Sequence, residues 1–376
     1  MPSAASCIKP GYCAADTFAA DPDIAGIGVI AAFATTSLLA CFTSAYYLIW
    51  QLVKWRRATP EDKEKKDRAD SKTLEAIIGS CNDQQTLTGM AYLIGAVGNV
   101  GISCDISAYH WNILANMGLM TAATFMITIA VSKRFFENRL LGVARMVLMV
   151  VVSVRLFRMT GLPYHMPDTK SINATTTLTQ PAACFVQSTG GNSTFVVSQF
   201  ENDTVMNMHR ARYLNIAVSV MWIVCALGRL LPSFLRQAWR VTHLKRRCYG
   251  NMSMWFHVLQ WPTLIFGTFN ISYCLATIIK LRRYMDSTVL QGSNPENNIH
   301  SFGQYVPLVL LALLPLTVIE VAFEHYKAKR MDRPKTGIAR VGWLFVLGPD
   351  SADYGDDGEN VRLTENLDPF GFFGSR

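Results

Sequence analysis

Charged residues and the signature motifs of well-known soluble enzymes are both scarce in this sequence. Asp, Glu, Lys and Arg make up 16% of its 376 residues, whereas half of the chain is hydrophobic. The HExxH, GxSxG, paired CxxC and glycine-rich phosphate-loop motifs are absent, which argues against zinc chemistry, serine hydrolysis and nucleotide hydrolysis. The last apolar segment has no lysine between Gln304 and Tyr326 that could form a Schiff base with retinal. We therefore expect neither a metal nor a cofactor.

Long apolar runs are what the sequence has instead. A bilayer core of roughly 30 Å needs about 20 apolar residues in a helix, and lipid offers no partner to an unpaired backbone group. The sequence therefore predicts an all-α, polytopic membrane protein built as a bundle of seven transmembrane helices. We predict the spans at 24–53, 74–98, 109–131, 140–159, 213–235, 254–279 and 304–326.

Lys and Arg are distributed unevenly between these spans. The segments after spans one, three, five and seven hold 22 of them, and the opposite side holds seven. By the positive-inside rule this predicts an N-terminus outside and a cytoplasmic C-terminus. The net charge of +8 then reflects topology and contact with anionic inner-leaflet lipid, so no nucleic-acid partner is needed.

Three regions follow from that topology. Residues 1–23 form an outer tail without the features of a cleavable signal peptide, and residues 24–326 form the membrane domain. Residues 327–376 form a cytoplasmic tail. Within that tail, residues 337–347 predict a segment that lies on the membrane interface, and the acidic end beyond Pro349 predicts disorder.

The longest outer loop, residues 160–212, is rich in Thr, Ser and Gly and carries three glycosylation sequons. They begin at Asn173, Asn192 and Asn202. Because all three fall in a loop that the charge distribution places outside, we predict that this loop is glycosylated.

Four of the nine cysteines fall on the side predicted to be oxidising. They are Cys7, Cys13, Cys104 and Cys184, and four cysteines allow three pairings. We favour Cys7 with Cys13 and Cys104 with Cys184, because the second pair would tie the long outer loop to the start of helix 3. Free thiols remain the alternative.

Several ionisable residues are predicted to lie inside the membrane, where charged side chains usually face the bundle interior and find partners. Asp83 on helix 2 and Glu320 on helix 7 are our candidate acid and base. Arg145 and Arg229 would set their protonation, with Arg229 as the shared partner. A purely structural network of balanced charges is the competing interpretation.

Polar residues also recur at helical spacing on helices 3 and 5, and such stripes either join helices by hydrogen bonds or line a cavity. His257 is a lone histidine, more typical of packing than of metal binding. The candidate ligand-binding residues are Gln84, Gln85, Tyr109, Asn112, Asn116, Asn215, Ser219, Trp222 and His257.

Three segments carry a resemblance to a known group. They are SCNDQQ at 80–85 with Thr88 and Gly89, AYHW at 108–111, and FGQ at 302–304 with the run to Pro315. These segments resemble those of a family of multi-pass membrane proteins in filamentous ascomycete fungi, over roughly residues 24–326. Some members lie among secondary-metabolism genes, and the resemblance therefore implies a membrane-embedded pathway protein.

The first functional hypothesis is a protein that handles an apolar small molecule within the bilayer, including a non-redox cyclase or isomerase of secondary metabolism. A receptor-like sensor is the second, because the helix count and the outside N-terminus would also suit a signalling bundle. A carrier or channel is the third. Each hypothesis places the chain in the plasma membrane or an endomembrane, reached through the secretory pathway.

Overall fold

Helices account for nearly all regular structure in the part of the chain that the structure describes. The computed structural model describes residues 20–57, 67–97, 106–132, 135–136, 139–161, 178–185, 207–238, 247–290, 295–297, 302–312, 315–317, 319 and 323. All of them belong to one compact unit, Met1–Arg330. Within these ranges the β structure is one isolated bridge between Ser107 and Pro181, so the all-α prediction is confirmed there.

Seven helices of ten residues or more follow one another along the described chain. They are α1 Ile27–Arg57, α2 Asp67–Val97, α3 Ala108–Val131, α4 Arg139–Gly161, α5 Asn207–Ala238, α6 Arg247–Thr288 and α7 Phe302–Leu311. A short helical turn, Pro22–Ala25, precedes α1, and the 3-10 turns Ala182–Phe185 and Pro295–Asn297 precede α5 and α7.

Five helices among the described residues are long and apolar enough to cross a membrane. Their apolar stretches are Pro22–Val53, Ala108–Val131, Leu140–Thr160, Arg210–Leu230 and Leu259–Thr288. The other two predicted spans are helical but fall short of this standard. Helix α2 has 31 residues with a polar middle, and α7 continues for ten residues within a shorter apolar stretch, Gln304–Thr317.

Helix α3 lies at the centre of the bundle, and every one of its 24 residues is buried. Five helices surround it and contact it. They form a closed ring in which each packs against the next, in the order α1, α2, α4, α5, α6 and back to α1. Helix α7 packs against α1, and its Leu311 also lies against Ala40 and Cys81. The sequence explains the central position, because α3 has no charged residue other than a histidine at its first turn.

Two glycines permit close approach to α3. A Cβ at Gly89 of α2 would collide with the side chain of Thr121, and a Cβ at Gly267 of α6 would lie 2.6 Å from Ile127 Cγ1. Small residues have this role in membrane bundles because lipid tails remove the hydrophobic drive for helices to associate, and dispersion contacts must replace it.

The outward face of α4 is apolar. Its exposed side chains recur every three or four residues and are Leu140, Val143, Val147, Val150 and Val154. A helix with this pattern in water would expose a large apolar patch. The pattern therefore supports a lipid environment for the bundle.

Several sequence predictions lie outside the described residues. They concern Cys7, Cys13, Cys104, Asn173, Asn192, Asn202, Glu320 and the segment 337–347. Cys184 lies in the turn Ala182–Phe185, where the structure describes the backbone alone, so the proposed Cys104–Cys184 pairing stays a prediction. Cys41, Cys81, Cys225 and Cys274 are buried free thiols within helices.

Candidate functional sites within the bundle

A buried carboxylate anchors the first polar site, the Glu296 cluster, which consists of Ser107, Tyr109, His110 and Glu296. One carboxylate oxygen of Glu296 lies 3.0 Å from His110 Nε2, and the Tyr109 hydroxyl donates to the other at 3.0 Å. The second ring nitrogen of His110 lies 2.8 Å from Ser107 Oγ. All four side chains are buried. A buried carboxylate is tolerated because its oxygens are hydrogen-bonded.

Local sequence explains how this cluster forms. Ser107 is the N-cap of α3, and its hydroxyl accepts a hydrogen bond from the His110 backbone N–H. The Asp21 backbone N–H lies 3.2 Å from His110 Nε2, which accepts this hydrogen bond in one tautomer and donates to Glu296 in the other. Arg282 of α6 donates to the Ala25 carbonyl at 2.6 Å and to the side-chain oxygen of Asn297 at 2.5 Å. The cluster thus gathers the chain before α1, the start of α3 and the turn before α7.

A second site, the Glu75 cluster, lies at the opposite end of the bundle and consists of Tyr47, Glu75, Ser132 and Arg229. The Tyr47 hydroxyl donates to Glu75 at 2.5 Å, and the Ser132 hydroxyl donates to its other oxygen at 3.5 Å. Arg229 of α5 interacts electrostatically with Glu75 and donates to the Ala130 carbonyl at 2.8 Å. A cation therefore balances a buried anion near the end of α3.

A third site, the Gln85 cluster, lies at the middle of α2 and is uncharged. Thr36 and Ser37 of α1 donate to Gln85 Oε1 at 2.9 and 3.0 Å, and Gln85 Nε2 lies 2.7 Å from Ser37 Oγ. Thr124 of α3 extends the network to Ser37 at 3.4 Å. Three helices are therefore joined by side-chain hydrogen bonds at this level.

Asp83 and Arg145 form the fourth site, an ion pair between α2 and α4. Arg145 Nε donates to Asp83 Oδ1 at 2.6 Å, and Nη2 donates to Oδ2 at 2.5 Å, which is the bidentate geometry that arginine favours with a carboxylate. The Asp83 side chain is 34% exposed and that of Arg145 is 17% exposed. Of these four sites, this one has the most accessible charged groups.

The structure brings together part of the predicted acid–base set. Asp83 and Arg145 are paired, whereas Arg229, which we expected beside Asp83, lies in the Glu75 cluster. Depth along a helix can be counted from sequence, but the direction of a side chain around the helix depends on packing. Glu320 lies outside the described residues, so its role stays a prediction.

The predicted ligand-binding residues are dispersed over the bundle. Gln85 and Tyr109 are hydrogen-bonded in two different clusters. Asn112, Asn116 and Asn215 are buried, and Trp222 packs edge to face on Phe125 of α3 at 5.8 Å. Gln84 and Ser219 are partly buried, and the structure describes only the backbone of His257.

Glu75 and Glu296 are the buried carboxylates of the described chain, and neither was predicted from the sequence. Glu75 lies one residue inside the predicted second span, whereas Tyr47 lies six residues inside the end of the first span. Their positions in the sequence therefore did not predict the contact between them. Glu296 lies in a short turn without apolar periodicity, and its burial follows from tertiary packing alone.

No cluster of three or more potential metal ligands occurs among the residues that the structure describes. No protein-family model, curated protein or solved structure matches this chain.

Proposed function

We propose that this chain is a seven-helix integral membrane protein, with its N-terminus outside and its C-terminus in the cytoplasm, that handles an apolar small molecule. Five membrane-compatible helices support the bilayer environment, and the 22-to-7 distribution of Lys and Arg supports the orientation. Helix α2 can cross as a sixth span despite its polar middle, because Glu75, Asn82 and Gln85 are buried within the bundle.

Glycosylation tests the orientation. Glycosidase should lower the apparent mass of the protein, and joint substitution of Asn173, Asn192 and Asn202 by Gln should abolish that shift. A C-terminal tag should be accessible to antibody only after permeabilisation. A tag that intact cells expose would show that the orientation is reversed.

The Asp83–Arg145 pair is the observation on which we base an enzymatic role. A bidentate ion pair at membrane depth is expensive to maintain, and its partial exposure beside the apolar face of α4 gives a lipid-dissolved molecule access from the side. In a non-redox isomerase or cyclase, the Asp83 carboxylate would accept a proton from one substrate carbon and return it to another. Arg145 would hold the carboxylate in position.

The resemblance to fungal membrane proteins supports placing this chemistry in secondary metabolism, in the plasma membrane or an endomembrane. Metabolite profiles of a deletion strain and of a strain with Asp83→Asn should lack the same product. The variant must retain near-normal expression and thermal stability, and Asp23→Asn, at an exposed aspartate, is the matched control. If product formation persists in folded Asp83→Asn protein, the enzymatic role is wrong.

A receptor-like sensor is the alternative that a separate observation favours. Helix α3 links the Glu296 cluster at one end to the Glu75 cluster at the other, through Tyr109 and His110 at its start and Ala130 and Ser132 at its end. A ligand that shifted α3 would therefore reach both charged clusters. Normal metabolites in the deletion strain, with loss of a response to an added apolar compound, would favour the sensor.

A further inference from the structure

One face of α2 carries polar residues from the end of the bundle to its middle. Glu75, Asn82, Thr86 and Gly89 recur at intervals of seven, four and three residues, so they share one side of the helix. The first three are buried. Because a Cβ at Gly89 would meet Thr121, this face is packed towards α3.

Helix α1 presents a matching row. Ser37, Ser44 and Tyr47 are spaced by seven and three residues, and all three are fully buried. Ser37 bonds to Gln85 at one end of the row, and Tyr47 bonds to Glu75 at the other. Ser44 therefore lies between the two hydrogen-bonded levels, which are ten residues or about 15 Å apart along α2.

Hydrogen bonding differs sharply along this interface. The Glu75 and Gln85 clusters at its two ends are connected by side-chain hydrogen bonds. Between and beside them, Ser44 Oγ, Asn82 Oδ1 and Thr86 Oγ1 are buried and have no hydrogen-bonding partner among the protein residues that the structure describes. We name these three residues the polar seam. Three such oxygens along one helical interface are unusual, because buried polar atoms are nearly always paired with protein or with ordered water.

We infer that the polar seam is a binding site for a short file of water molecules between α1, α2 and α3. Its oxygens are neutral acceptors and its two hydroxyls can also donate, which suits water as a ligand with two to four polar partners. A cation suits the site less well, since Arg229 already accompanies the nearby Glu75.

Water in the seam would extend a polar path from Glu75 to the centre of the bundle. Asn82 links that path to the accessible ion pair, because its amide nitrogen donates to Asp83 Oδ1 at 3.3 Å. The protons of the bound water would then be separated from the Asp83 carboxylate only by the side-chain amide of Asn82. The inference does not depend on the chemistry proposed for Asp83, and its tests need no substrate.

Replacing a seam residue by one of nearly the same shape that lacks the hydroxyl changes the thermal stability in opposite directions, according to whether the seam binds water or is dry. If water is bound, Thr86→Val and Ser44→Ala should each lower the thermal midpoint of purified protein by roughly 2 to 4 °C, because a bound water loses a partner. If the oxygens are dry and unpaired, their removal should leave the midpoint unchanged or raise it. That result would overturn the inference.

Thr160→Val is the matched control, because Thr160 is equally buried and its hydroxyl donates within α4 to the Leu156 carbonyl at 2.9 Å. Loss of a hydroxyl that has a partner should lower the midpoint in this control, and seam variants that fall as far behave as hydrogen-bonded hydroxyls, which supports bound water. Seam variants whose midpoint stays unchanged or rises while that of the control falls would overturn the inference.

X-ray hydroxyl-radical footprinting in ¹⁸O-labelled water provides the direct readout. Radicals formed at bound water should label Tyr47, three residues from Ser44 on α1, more than the equally buried Tyr109 on α3. They should likewise label Cys81, next to Asn82 on α2, more than the equally buried Cys274 on α6. Equal labelling within both pairs would overturn the inference even if the seam variants lose stability. A midpoint that changes when choline chloride replaces sodium chloride would assign the site to an ion and also overturn it.

Discussion

Tyr109→Phe is the sharpest probe of the Glu296 cluster. The substitution keeps the buried ring and its edge-to-face contact with His110, at 4.9 Å between ring centroids. It removes the hydroxyl that donates to Glu296 Oε2 at 3.0 Å. Glu296 is fully buried, so bulk solvent does not reach the oxygen that loses its donor. The change therefore isolates a single hydrogen bond to a buried carboxylate.

The size of the effect follows from that geometry. A hydrogen bond to a charged group contributes about 1.5 to 3 kcal/mol, and stranding its acceptor in the interior removes this contribution without compensation. The ring stays in place, so no cavity term is added. We expect the thermal midpoint in detergent to fall by roughly 3 to 12 °C, using about 2 to 4 °C per kcal/mol.

Differential scanning fluorimetry on purified protein measures the shift. Tyr46→Phe is the control, because Tyr46 lies on the outer face of α1 and is 59% exposed; its midpoint should stay close to wild type. In a double-mutant cycle, Tyr109→Phe and Glu296→Gln should deviate from additivity by about 1 kcal/mol or more. Additive effects, or a midpoint for Tyr109→Phe equal to that of Tyr46→Phe, would refute the role of this hydrogen bond.

Two further substitutions and one peptide-mapping experiment test other contacts of the chain. Tyr47→Phe removes the donor at 2.5 Å from Glu75 and should cost about 1.5 to 3 kcal/mol in denaturant unfolding; an unchanged midpoint would contradict it. Gly89→Leu should prevent α2 from packing on α3, which a loss of monodisperse protein in gel filtration would reveal. Cys104 and Cys184 should appear as one linked peptide in non-reducing mapping, and recovery of either as a free thiol would eliminate the pairing.

Helix positions were predictable because apolar length is a local signal. Helices α1, α3, α4, α5 and α6 contain apolar stretches that overlap predicted spans, and every residue of α3 proved to be buried. The polar middle of α2 weakens the same signal, and the continuous helix α7 ends at Leu311. Composition along the chain thus predicts where helices form better than which of them cross a membrane.

The candidate sites were harder to predict, because they depend on how each helix is rotated about its axis. A rotation of 100° separates neighbouring residues on a helix, so Asn82 and Gln85 can face the interior while Asp83 faces the gap beside α4. No periodic pattern in a single helix specifies which neighbour fills that gap. The pairing of Arg145, rather than Arg229, with Asp83 therefore emerges only from packing.

A charge-neutralising cycle tests that pairing. Arg145→Gln strands the Asp83 carboxylate in a partly exposed site, so its cost should lie between the 0 to 1 kcal/mol or so of a surface pair and the roughly 3 to 5 kcal/mol of a buried one. Adding Asp83→Asn should restore much of that stability, because the remaining amides are uncharged. Arg229→Gln serves as the control, since Arg229 interacts with Glu75 instead. If Asp83→Asn rescues the Arg229 variant as well as the Arg145 variant, the two arginines share one charge network and the separation of the Asp83–Arg145 pair from the Glu75 cluster is wrong.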